Sequence, residues 1–148
     1  MKLFVKDDKK VLEPEVTIVG DESSNEVIDL VQVLNNYQMD AFSYIAYLEN
    51  ARHILDVREI AFFESRGQQV VAYVNNQEYL VKDKLYEIEN KYPSFMRISK
   101  WCVANMNFVN KVHAPLNMTM NVEFKNCDLT QIVTRKYLRD FKERILGK

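Results

Sequence analysis

The residues best placed to do chemistry in this chain are cations set among apolar neighbours. The segment Phe95-Met96-Arg97-Ile98-Ser99-Lys100-Trp101-Cys102-Val103-Ala104-Asn105 holds two of them, Arg97 and Lys100. Its pattern points Phe95, Ile98, Cys102 and Val103 inward, and Arg97, Lys100 and Trp101 toward solvent. Asn105, at its end, reads as a structural amide. A second cluster follows at Val133-Thr134-Arg135-Lys136-Tyr137. Arg135 starts the last helix or sits in the loop before it, where a cation is well placed to reach into a DNA groove. An ion pair with Asp128 or Asp140 is the equal alternative from the residues alone. Lys84, Lys111 and Lys125 add charge at the level of a phosphate backbone.

The charge distribution supports the same chemistry. The whole chain has a formal net charge of −1, with 20 Lys/Arg against 21 Asp/Glu, which is not that of a generally basic nucleic-acid binder. Residues 1–94, however, carry 10 Lys/Arg against 17 Asp/Glu, a net of −7, and residues 95–148 carry 10 against 4, a net of +6. A polyanion is drawn to the C-terminal third and repelled elsewhere. The competing reading is that the two parts neutralise each other in the fold.

Other chemistries lack their constellations. His53 and His113 are the only histidines and neither has a metal-spaced partner; His113-Ala114-Pro115 reads as a turn. No Gly-rich phosphate loop, nucleophile elbow or His-Glu-x-x-His occurs. Glu64, Glu78, Glu87 and Glu89 read as solvated faces, not an acid–base pair. Cys102 and Cys127 have the spacing of neither a disulfide framework nor a zinc site, and read as small buried hydrophobes in a reducing compartment. Asp7-Asp8 resembles the acidic pair of a bacterial receiver domain, but the stretch before the β-rich body is too short for one. The expectation is a protein that is not an enzyme and uses no cofactor, metal or small-molecule substrate. Met1–Lys10 is too charged for a signal peptide, and no apolar run approaches the ~20 residues that span a bilayer. A soluble, cytoplasmic protein is therefore expected.

These residues need elements to position them. Lys2–Lys6 and Glu15–Val19 alternate as short strands. Ser23-Ser24-Asn25-Glu26 reads as a capping box between Ser23 and Glu26. The helix after it carries Val27, Ile28, Leu30, Val31 and Leu34 on one stripe and should end near Asn35-Asn36. From Phe42 the pattern becomes hairpins: Phe42–Leu48, Glu59–Glu64, a turn at Ser65–Gln68, Val70–Val74, a turn at Asn75-Asn76, then Glu78–Val81. A helix over Lys82–Tyr92 stops at Pro93. Strands over Phe108–Val112, Asn117–Phe124 and Gln131–Val133 follow, the last two around a turn at Lys125–Asp128. A helix over Arg135–Leu146 has Leu138, Phe141, Ile145 and Leu146 as its apolar positions. The fold class is mainly β with short helices (α+β), with a strand–strand–helix element over residues 1–50 and a β-rich domain over 51–148. The stripe from Val27 to Leu34 suits self-association as a homodimer or packing within the chain.

Residues from about Val57 to Leu146 resemble the LytTR DNA-binding domain of bacterial transcription regulators. Three places carry the resemblance: Ile60-Ala61-Phe62-Phe63-Glu64-Ser65; the helix through Leu85 and Ile88 running into Phe95–Lys100 and Val103-Ala104-Asn105; and Val133-Thr134-Arg135-Lys136-Tyr137. The resemblance implies an elongated array of antiparallel strands whose loops, not a recognition helix, enter successive major grooves at promoter direct repeats. It implies Lys100 and Arg135 as base contacts, with Gln68, or its neighbour Arg66, as a third. Arg97, Trp101 and Asn105 fall on its motif as loop-positioning or backbone-contacting residues, and Lys111, Lys125, Lys136 and Arg139 suit phosphates. Ser99-Lys100-Trp101 stands where the family often has His-Arg-Ser, so an indole replaces a hydroxyl that could bond phosphate. A chain of this stand-alone kind, without a receiver, is also expected to partner a small membrane protein that restrains it. The alternative is a protein–protein interaction module on the same scaffold that no longer binds DNA specifically.

Overall fold

The computed structural model describes residues 1–12, 14–113 and 117–147, and of residues 38–41 the backbone alone. Ala114 and Pro115 of the expected turn lie outside the described residues. The chain divides into two compact units, Met1–Met39 and Asp40–Lys148.

In the first unit the expected strands Lys2–Lys6 and Glu15–Val19 do not form. Their alternation is genuine, but two short segments make at best a marginal ribbon without a sheet to join. Leu3, Phe4, Val5 and Val19 accordingly stay exposed. The helix α1 spans Asn25–Phe42, running past the expected stop at Asn35-Asn36. Its cap is Ser24, whose Oγ accepts from the Val27 N–H at 3.3 Å. Ser23 instead donates its hydroxyl to Asp21 at 2.7 Å. The cap lies one residue later than expected, so the third helical position is Val27 and the Ser23–Glu26 box does not form. Val27, Leu30 and Leu34 are half-buried, and Ile28 and Val31 are exposed.

The second unit is antiparallel throughout. Its elements are β1 (Ser43–Leu48), β2 (Ala51–Asp56), β3 (Phe62–Arg66), β4 (Gln69–Val74), β5 (Gln77–Val81), α2 (Leu85–Lys91), β6 (Phe95–Ser99), β7 (Cys102–Asn105), β8 (Val109–Val112), β9 (Met120–Phe124), β10 (Thr130–Val133) and α3 (Arg135–Leu146). Seven strands form one sheet in the order β2-β1-β5-β4-β3-β7-β6, and three form another in the order β10-β9-β8. The larger sheet begins at β1, ahead of the expected boundary at residue 51, because Tyr47 pairs with Leu80 of β5. Strand β2 was not expected. It is fixed by Glu49-Asn50, both left-handed at φ 50° and 65°, in the two-residue turn whose twist suits a hairpin. Asn75-Asn76 does the same between β4 and β5, with φ 48° and 62°.

Successive side chains of a strand point to opposite faces, and Phe62 and Phe63 show both faces of the large sheet to be buried. Phe62 packs with Tyr73, Ile98 and Ala104 against Val122, Phe124 and Val133 of the small sheet and Leu138 and Phe141 of α3. Phe63 packs with Tyr44, Phe95 and Val103 against Leu85 and Ile88 of α2. The expected inward set Phe95, Ile98, Cys102 and Val103 is buried. Ile145 and Leu146, expected on the apolar face of α3, remain exposed.

Candidate nucleic-acid interface

Three turns converge on one end of the second unit. Lys100 and Trp101 form the turn between β6 and β7. Because β7 pairs antiparallel with β3 through Glu64↔Cys102, the β3–β4 turn at Gly67-Gln68 lies at the same end. The Ser65 N–H donates to the Trp101 carbonyl at 2.8 Å, and the Thr134 N–H to the Ile98 carbonyl at 2.9 Å. The second bond brings the start of α3, and Arg135 with it, beside β6. Lys100, Gln68 and Arg135 are thus exposed on neighbouring turns of one rigid frame.

The Lys100–Trp101 turn is held from several sides. Arg97 Nη1 donates to the Lys100 carbonyl at 2.9 Å, and its Nε faces Glu89 at 3.4 Å. Ser99 Oγ accepts from the Trp101 N–H at 3.2 Å. Arg97 positions the turn and has little freedom left to reach a ligand. Trp101 is 52% exposed, and the Lys100 ammonium lies 4.9 Å from its ring centroid. The indole supplies a face on which the cation rests. Arg135, the first residue of α3, is exposed. Neither of the expected ion pairs, to Asp128 or Asp140, forms among the described residues. Asp128 stands at the opposite end, where its N–H donates to Asn76 Oδ1 at 2.8 Å.

The remaining cations and Asn105 divide by location. Lys136 and Arg139 continue from Arg135 along α3; the first lies over Tyr137 and the second faces Glu143 at 3.5 Å. Lys111 is exposed on β8, which pairs only with β9. Lys125 stands away from Lys100 at the opposite end of the second unit, donating to the Asn107 carbonyl at 3.3 Å. Asn105 is 1% exposed. Its amide donates to the Arg58 and Ile60 carbonyls at 3.2 and 2.9 Å, and its Oδ1 accepts from the Asn107 N–H at 3.0 Å. Buried and bonded in this way, Asn105 ties the end of β7 to the connection between β2 and β3.

Arg66 is engaged by two carboxylates. It donates to Glu78 Oε2 and Oε1 at 2.7 and 2.6 Å and to Glu64 Oε2 at 2.9 Å. These bonds, to Glu78 first, push the guanidinium further toward its charged form. Gln68, next to it, is exposed and makes no such ion pair. The hydrogen bond from Arg66 also holds the Glu78 carboxyl below its ordinary range. A depressed carboxylate contributes stability above its unfolded value, and that contribution is lost as pH falls through its folded value. Arg66→Ala should therefore destabilise the fold slightly at pH 7, by no more than about 1 kcal/mol for so exposed a cluster. The gap to the unsubstituted protein should close below the ordinary glutamate range. A calorimetric series from pH 7 to pH 3 measures this, and a gap that widened in acid would contradict it.

Arg135, Arg139 and Lys142 share a face of α3 and, with Met118, line an open groove of about 430 Å³. The signal was present in their spacing of four and three residues, but nothing in the chain marked Met118 as the opposite wall. Among the described residues no group of three or more His, Cys, Asp or Glu could hold a metal ion, and no helix is long and apolar enough to cross a membrane.

Residues 50–146 match the LytTr DNA-binding domain family. The whole chain resembles proteins of Staphylococcus aureus named as HTH-type transcriptional regulators: one of strain MSSA476 is 27% identical over 98% of both chains, and one of strain NCTC 8325 / PS 47 is 26% identical over the same share. In structure, the chain matches the LytTr DNA-binding domain of a Bacillus cereus protein described as a methyl-accepting/DNA response regulator. That match has a TM-score of 0.65 and 16% identity, and covers 72% of this chain and 97% of the other. The HTH label of the staphylococcal relatives does not describe this chain, whose helices α1, α2 and α3 are each separated by strands. With antiparallel sheets and exposed turns in place of paired helices, and with two-thirds of its length matched, the chain belongs to the LytTR family of DNA-binding domains.

Proposed function

We propose that this protein is a sequence-specific transcription regulator that reads direct repeats in bacterial promoter DNA through turns laid in the major groove. The observation that carries the reading is the convergence of Lys100, Gln68 and Arg135 on three turns at one end of the sheets. Lys100 and Arg135 donate to guanine edges, and Gln68 suits an adenine. Arg97 shapes the turn that presents Lys100, and Trp101 packs against the edge of the duplex. Lys136 and Arg139, with the first-turn N–H groups of α3, meet phosphates beside Arg135. Lys111 sets affinity from a more distant strand. Lys125, at the opposite end, is assigned no contact within the same half-site. The protein works in the cytoplasm, where its promoters are. A small membrane protein that restrains it remains the expected partner; a tagged copy recovered from membranes tests for one.

The direct test is a mobility shift on duplex DNA from upstream of the protein's own gene, titrated with salt. Each phosphate neutralised contributes about −0.9 to the slope of log K against log salt on B-DNA. Two cations at phosphates thus predict a slope of about −2 or steeper. Binding that ignores salt, or no retention of any promoter fragment at low salt, would leave the same scaffold as a protein–protein interaction module.

A further inference from the structure

The large sheet has two edges, and they are finished differently. Strand β6 is broken by a bulge between Arg97 and Ser99. In the small sheet β8 carries a bulge between Val109 and Lys111, and β10 is only four residues long. Bulges and short lengths are how sheet edges are kept from pairing with other chains. Strand β2 has neither device. Its six residues pair with β1 in unbroken register from Ser43↔Asp56 to Leu48↔Ala51. It contains no proline, and Ile54 at its middle is 75% exposed.

We propose that β2 is a self-pairing edge, joining two copies of this chain antiparallel about a two-fold axis at Ile54. The hairpin geometry selects the register. A two-residue turn makes Leu48 and Ala51 a hydrogen-bonded pair, so Ala51, His53 and Leu55 turn their backbone groups to β1. Arg52, Ile54 and Asp56 then present theirs to the open edge. Pairing Ile54 with its own copy places Arg52 opposite Asp56 of the second chain, twice over, and these facing pairs are of the hydrogen-bonded kind. Asp56 already accepts from Arg58 Nε and Nη2 at 3.0 and 2.8 Å, so Arg52 would share a carboxylate that Arg58 holds. The opposite charges fall on the same face as the two isoleucines. On that face Ile45, opposite Ile54 on β1, and Leu80 on β5 are also exposed, so the apolar strip continues from one copy into the other. Strand β2 lies at the far end of the sheet order from β6 and β7, so dimer formation leaves both Lys100 turns free. Because the two-fold axis relates them head to head, one dimer offers one copy to each direct repeat and the other copy stays off that repeat.

The test uses the full chain in sedimentation equilibrium. The unsubstituted protein should show a monomer–dimer equilibrium. Ile54→Pro removes an N–H that serves only the outer edge, and should raise the dissociation constant at least tenfold with the melting profile kept. Register is tested by cross-linking in a Cys127→Ser background. Ile54→Cys should give a disulfide dimer on mild oxidation, because a hydrogen-bonded antiparallel pair sets its Cα atoms about 5.5 Å apart. Arg52→Cys, two residues from the axis, should not. A protein monomeric at all concentrations overturns the proposal. So does a dimer that Ile54→Pro leaves intact, which would move the contact to the stripe of α1. Cross-linking through Arg52→Cys but not Ile54→Cys would refute the register.

Discussion

Replacing Lys100 with Ala is expected to weaken binding to a cognate promoter fragment by about ten- to a hundredfold, and Arg135→Ala should do the same. A good side-chain contact to a base edge is worth roughly 1–3 kcal/mol of discrimination, and about 1.4 kcal/mol is a factor of ten. Two features of the structure favour the upper part of that range. Both residues sit on turns fixed to the same strand, Lys100 following β6 and Arg135 tied to it through the Thr134–Ile98 bond. Little ordering cost is left to be met on binding. Among the described residues neither side chain forms an ion pair that would have to break, unlike Arg66 with Glu64 and Glu78. The loss should fall on specific binding. Affinity for unrelated DNA, set by phosphates, should fall only a few-fold, and removing one phosphate cation such as Arg139 should flatten the salt slope by about one. Arg97→Ala removes the bond to the Lys100 carbonyl and the contact with Glu89, both within the protein, so it should lower specificity while leaving the salt slope almost unchanged. Competition mobility shifts with cognate and scrambled duplexes separate these cases. If both alanine variants bound the cognate fragment as tightly as the unsubstituted protein, the reading end would lie elsewhere.

The parts legible in the sequence are those whose signal is local. Turn chemistry at Asn75-Asn76 and the helix from Arg135 to Leu146 needed nothing from distant residues, and both formed with the expected bounds, although only Leu138 and Phe141 of the helix's expected apolar face are buried. Strand β2 was missed because Ala51-Arg52-His53-Ile54-Leu55-Asp56 has no clean alternation; as an edge strand it is held from one side only. The strands expected at Lys2–Lys6 and Glu15–Val19 failed for the converse reason. Their alternation met the local rule, but a strand also needs a neighbour.

The site divides along the same line. That Lys100 and Arg135 are exposed cations follows from the residues around them. That they are neighbours depends on the Thr134–Ile98 backbone bond and on the core that Ile98 shares with Val133, Leu138 and Phe141, contacts between residues far apart in the chain that no local pattern encodes. Asn105 was legible as structural, but its partners, the carbonyls of Arg58 and Ile60, were not. Arg66 and Gln68 could not be separated in the sequence, because Glu78, the carboxylate that occupies Arg66, arrives only when β5 folds back beside β4.

Phe62→Ala should be the most damaging single substitution in the second unit. Phe62 is fully buried. Its ring stacks on Tyr73 at 5.1 Å with an interplanar angle of 4° and meets Phe124 at 5.4 Å. It therefore joins the large sheet to the small one, and its loss opens a cavity between two layers that strand pairing keeps from closing. Phe→Ala at such a site costs about 3–5 kcal/mol, out of roughly 5–15 kcal/mol for a whole domain. For a chain of this size that lowers the midpoint by on the order of 10 °C. Truncating an exposed apolar residue on the small sheet, Ile132→Ala, should cost under about 0.5 kcal/mol. Function should follow stability here, because the layer that Phe62 anchors carries β10 and α3, and so carries Arg135. Phe62→Ala should bind promoter DNA more weakly even at temperatures where it is mostly folded. Lys100→Ala should instead lose binding with its melting curve unchanged. Denaturant unfolding alongside the mobility shift distinguishes the two. A Phe62→Ala protein less than about 1 kcal/mol weaker than the original would mean that the two sheets do not share this core.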